Sequence, residues 1–78
     1  MSDTPHELNE EFPEFRGRIH ELKVANPHFR KLHDDYHAVN REIHRGETNI
    51  EPMDDFRLEV LRKQRLKLKD ELYGMLRG

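Results

Sequence analysis

Apolar residues recur along this chain at the spacing of one face of an α-helix, in three separate runs. The clearest is Phe29, Leu32, Tyr36, Val39 and Ile43, at steps of 3, 4, 3 and 4. Asn26-Pro27 stands just before it, an N-cap side chain followed by the residue best tolerated at the first helical position. This pattern predicts a helix over 27–45, about 28 Å long at 1.5 Å per residue. Gly46 would end it as a left-handed cap, with Arg41, His44 and Arg45 near its negative end.

The run before it, Phe12, Phe15, Ile19 and Leu22, predicts a short amphipathic helix over 11–25. Pro13 is comfortable only in a first turn, so the regular helix is expected from Glu11 or Phe12. Residues 1–8 show no periodicity and contain Pro5, which reads as a flexible tail. In register, the seam of this helix would pass through Asn26; instead it restarts at Phe29. Because the residue before a proline resists the α region, a kink or turn is expected at Asn26-Pro27.

The third run is Leu58, Leu61, Arg65, Leu68, Leu72 and Met75, with Phe56 and Val60 widening the stripe, and it predicts a helix over 53–76. The connection 46–52 has turn chemistry and is short enough to reverse the chain. The expected fold is therefore all-α: an antiparallel helical hairpin with coiled-coil character, plus a short N-terminal helix, in a single small domain over 1–78. Arg65 occupies a seam position where a leucine is expected. A polar residue there fixes register or oligomer state at some cost in stability, unless the arginine snorkels. Leu66 and Tyr73 lie more than about 100° from the main stripe. A two-helix hairpin leaves both exposed, as a second contact face or as ordinary surface apolar residues.

Composition sharpens this picture. With 38% charged and 33% hydrophobic residues, the chain resembles solvated helices more than a thick globular core. No cysteine is present, so packing and association are the available sources of stability, and a homo-oligomer is expected. The net charge is -2, and protonation of the six histidines would reverse its sign. The N-terminal residues lack the pattern of a secretory leader, and no apolar run approaches the ~18 residues of a membrane span. A cytoplasmic protein without membrane contact is the expectation.

The run Leu61-Arg62-Lys63-Gln64-Arg65-Leu66-Lys67-Leu68-Lys69-Asp70-Glu71-Leu72 resembles the signature of the YdcH-like family of small bacterial proteins, a domain of unknown function. Phe12-Pro13-Glu14-Phe15-Arg16, Asn26-Pro27-His28-Phe29 and Asn40-Arg41-Glu42-Ile43 resemble the family's earlier stretches in the same order. The resemblance implies a helical hairpin and supplies no catalytic residues.

Two constellations carry candidate chemistry. Arg62, Lys63, Arg65, Lys67 and Lys69 concentrate positive charge on the third helix, a density that could meet nucleic-acid phosphates. At 100° per residue, however, these charges surround the helix, and Asp70 and Glu71 follow at once. The plain alternative is a solvated helix end that attracts the acidic N-terminal stretch Glu7, Glu10, Glu11 and Glu14. The second constellation is a ridge of His33, His37 and His44 beside the seam, with Asn40 between them. It is a solvated flank or, on protonation, a pH-sensitive interface edge. His33 and His37 stand one turn apart, but no H-E-x-x-H motif or third ligand accompanies them, so no metal is assigned. Dinucleotide and phosphate-loop fingerprints are absent, as is the setting of an activated nucleophile. No cofactor is expected.

The sequence thus points to a non-enzymatic protein–protein interaction or self-assembly module with an unknown protein partner. Its candidate contact residues are Arg62, Lys63, Arg65, Leu66, Lys67, Lys69 and Tyr73. An RNA- or DNA-binding accessory role through the basic helix is the less favoured alternative.

Overall fold

The computed structural model describes residues 7–48 and 54–78. Among them the backbone forms helices and turns with no strand: α1 (Leu8–Glu11), a 3-10 turn (Pro13–Phe15), α2 (Arg16–Ala25), α3 (Pro27–Glu47) and α4 (Asp55–Arg77). Asn26 caps α3 as its sequence position suggests, its Oδ1 accepting from the Phe29 amide at 3.1 Å, with Pro27 in the first turn. Asn26 itself is extended, at φ -126° and ψ 104°, and this breaks α2 from α3. The principal contact is between α3 and α4, which pair as the expected antiparallel hairpin. Arg57 reaches Glu42 near one end, while Phe29 shares a core with Leu72 and Leu76 near the other.

Several boundaries differ from the sequence reading. The regular helix α2 starts at Arg16 rather than at Glu11 or Phe12. Pro13 lacks an amide and holds Phe12 at φ -131°, so the chain makes one α-turn, breaks, and re-enters through a 3-10 turn closed by Phe15 N–H donating to Phe12 O at 2.9 Å. Residues 7 and 8 are not part of a flexible tail: Leu8 begins α1 and is only 1% exposed. Gly46 does not stop α3, which runs on to Glu47. Thr48 closes the helix instead, its amide and hydroxyl both donating to His44 O, at 3.0 and 2.9 Å. Helix α4 begins at Asp55 because Asp54 Oδ1 accepts from the Arg57 amide at 2.7 Å. Positions 1–6 of the expected tail, 49–52 of the connection and residue 53 lie outside the described residues.

The core falls into two clusters. The larger joins Leu8 and Ile19 to Phe29, Leu32 and Tyr36 of α3 and to Leu72 and Leu76 of α4. The smaller gathers Ile43, Leu58 and Leu61 toward the other end of the hairpin, with Val39 packed against it. Between them the buried seam passes through Asn40, 1% exposed, while Val39 sits half-buried at its flank. Asn40 Oδ1 accepts from Arg65 at 2.8 Å, so the two polar seam positions meet each other. Phe56 and Val60 do not widen the buried stripe; Phe56 is 80% exposed. At the far end Arg18 Nε donates to the Leu76 carbonyl at 3.1 Å, satisfying one of the free acceptors of the last turn of α4 from α2.

Candidate interaction surfaces

The basic stretch of α4 is largely taken up within the chain. Arg62 pairs with Glu47 at 2.8 Å, Arg65 bonds Asn40, and Lys69 pairs with Glu11 at 2.8 Å. Lys63 lies 3.6 Å from Glu59 one turn before it, an exposed pair of small energetic weight. Lys67 stands in solvent. The Glu11–Lys69 contact is the point at which the acidic N-terminal stretch meets the basic helix.

Leu66 and Tyr73, read together from the sequence, are separated by the fold. Tyr73 stacks on Phe12 with ring centroids 5.1 Å apart and meets Phe15 edge-on at 6.2 Å. Arg77 lies 5.5 Å from the Tyr73 ring and Lys69 5.9 Å from that of Phe12. The segment 8–15 thus straps across the hairpin and packs two rings against Tyr73, which stays 39% exposed. Leu66 remains 56% exposed.

The same strap reaches the histidine ridge. Glu7 Oε2 lies 2.9 Å from His37 Nδ1, and Glu7, Lys23, His33 and His37 line one shallow pocket with Leu8, Asn9 and Glu10. Burial lowers the pKa of His33 and Lys23 lowers it further, while Asp34, 3.5 Å away, acts in the opposite sense. His44 is half-buried a turn and more beyond His37. Asn40 is not a ridge residue but a core one. Among the described residues no three His, Asp or Glu side chains converge as a metal site. Tyr36, beneath the strap, has its phenol pushed up to about 12, first by burial and then by Glu11, with Arg65 opposing.

A surface the sequence reading did not single out runs along the hairpin between α3 and α4. Asp35, Ala38, Val39, Gln64, Lys67, Leu68 and Glu71 line one part of it. Val39 and Gln64 continue it into a second part that ends at Phe56, Val60 and Arg57. No residue of α1 or α2 lines either part. The signal was present as Phe56, Val60, Gln64, Lys67 and Glu71 on one side of α4, but the apolar-to-polar mixture hid it from a search for apolar periodicity. No helix among the described residues is long and apolar enough to cross a membrane.

The family model described as "Protein of unknown function (DUF465)" matches residues 29–76, the hairpin without α1 and α2. The chain is 37% identical over 65 residues to the "Uncharacterized protein YdcH" of Escherichia coli strain K12, and to the protein of the same description in Shigella flexneri. Each match covers 83% of this chain and 88% of the relative. No solved structure matches the chain significantly.

Proposed function

This chain belongs to the DUF465 family, proteins of unknown function, and from that premise we propose that it is a non-enzymatic interaction module whose hairpin groove docks another protein chain. The observation that carries this reading is the groove itself, which leaves Phe56 and Val60 on solvent along a path lined, among the described residues, by α3, α4 and the cap residue Asp54. Apolar side chains aligned on a rigid helix pair are what an amphipathic partner helix recognises. His37 and most of the basic residues of α4, by contrast, are spent on contacts within the chain.

Support for nucleic-acid binding is weaker for the same reason: Arg62, Arg65 and Lys69 each have an intrachain partner, which leaves Lys63 and Lys67 facing outward. An affinity pull-down with lysine crosslinking and mass spectrometry tests the interaction reading. Crosslinks from Lys63 or Lys67 to a protein chain are expected. Their absence, together with salt-sensitive retention of an RNA pool that Lys63→Glu plus Lys67→Glu abolishes, would replace it by the nucleic-acid reading.

A further inference from the structure

We infer that the occupant of the groove is a second copy of this chain, docked about a two-fold axis that crosses α4 between Lys67 and Glu71. The inference rests on the interaction reading above and names its partner. Most charges lining the groove are engaged within the chain. Asp35 pairs with Lys31 at 3.2 Å, Glu42 with Arg57 at 2.8 Å, and Asp54 caps α4. Lys67 and Glu71 also line the groove, and among the described residues neither makes an ion pair or a side-chain hydrogen bond. They carry opposite signs one helical turn apart, about 6 Å along the axis of α4.

That arrangement is self-complementary. A closed dimer of identical chains uses the same patch twice, so residue i of one copy meets residue j of the other and j meets i. Turning the hairpin about an axis midway between Lys67 and Glu71 lays α4 antiparallel on its copy and brings each Lys67 opposite the other chain's Glu71. Two reciprocal ion pairs form where each chain alone offers two unpaired charges. Between them lie the half-buried side chains of Leu68 and Val39 and the exposed Ala38, which supply apolar contact at the centre. A partner suited to this patch needs both signs in the reverse order, and a second copy has them by symmetry.

Reciprocity gives the proposal a sharp test by sedimentation equilibrium of the full chain. The native protein is expected to dimerise. Lys67→Glu alone and Glu71→Lys alone should each raise the dimer dissociation constant roughly tenfold or more, since each turns two attractive contacts repulsive. Mixing the two single variants in equal amounts should restore dimer, because every cross-chain pair is then opposite in sign. The double reversal within one chain should restore it too, whereas Val24→Ser, an exposed α2 position that lines no part of the groove, should leave it unchanged. Both charged positions are solvent-exposed, so circular dichroism and melting should be native in every charge variant.

A native chain that stays monomeric up to about 1 mM overturns the proposal. So does association indifferent to the charge reversals, association abolished by Val24→Ser, or failure of the mixture to recover. If the chain is monomeric yet crosslinks through Lys67 to a different protein, the interaction reading stands and the self-contact falls. If no crosslink of either kind forms, both fall.

Discussion

Leu8 offers the most exacting check of how the strap and the hairpin share the core. It is 1% exposed and packs with Ile19, Tyr36 and Leu72, so truncation to alanine removes as much buried side chain as truncation of Leu72 does. If nothing relaxed, either change would cost about 2–5 kcal/mol. Their settings differ, however. Leu72 lies within the 23-residue helix α4, and its loss must be borne by the hairpin. Leu8 lies in a single turn held by one stacked aromatic pair and two ion pairs, Glu7–His37 and Glu11–Lys69, that are partly open to solvent. A single turn held by few contacts escapes a cavity by detaching, so the global loss is capped by its own docking free energy.

Leu8→Ala is therefore expected to lower the urea-unfolding free energy by about 1–2 kcal/mol, against about 3–5 kcal/mol for Leu72→Ala. Amide exchange should separate the two further. In Leu8→Ala the amides of α1 and of the 3-10 turn should exchange some 5–30 times faster while those of α3 and α4 keep most of their protection. Equal global losses for the two variants, with no selective change at the strap, would show one cooperative unit and refute the reasoning.

Three further expectations follow from buried groups. Arg65→Ala should cost about 1.5–3 kcal/mol by removing the charged donor to Asn40, and Asn40→Leu with Arg65→Leu should recover much of that loss in urea melts. Tyr36 has a raised folded pKa, so its contribution is fully present below the unfolded value of 10.0 and is lost as pH rises toward about 12. A stability profile by denaturant titration should fall by about 2–3 kcal/mol across that window, and Tyr36→Phe should flatten it. His33 is shifted the other way: its neutral form is favoured in the fold, so its contribution is present above 6.5 and is lost as pH drops below that value. The histidine resonance followed by NMR should titrate below 6.5, and His33→Gln should remove that part of the acid loss.

The hairpin was legible because its signals are local and redundant: apolar steps of 3 and 4, a cap at Asn26 and a proline at the next position. What escaped depends on contacts between distant segments. Leu8 has no periodic neighbour, so nothing near it in sequence marks it as core; its partners lie on α2, α3 and α4. Asn40 is one step of 4 beyond Tyr36 and one step of 3 before Ile43, a true seam spacing, but its polarity led the apolar pattern through Val39 instead. The facing Arg65, 25 residues away, gives Asn40 a reason to be buried. Gly46 reads as a stop by residue type, yet Thr48 satisfies the His44 carbonyl without a left-handed residue. Tyr73 reads as exposed and stays 39% exposed, but Phe12 and Phe15 reach it from a distant segment, a contact no local pattern marks.

The meeting of Asn40 with Arg65 also sets how α3 and α4 are aligned. Two seams built on repeated steps of 3 and 4 match almost as well when one helix slides past the other by a turn, because leucine meets leucine in either alignment. Here a slide of one turn toward Ile43 would set the guanidinium of Arg65 against a buried aliphatic side chain, and a slide either way would part it from the Asn40 oxygen. One polar contact thus acts as a vernier mark between otherwise interchangeable rungs. The mark stands near the middle of both helices.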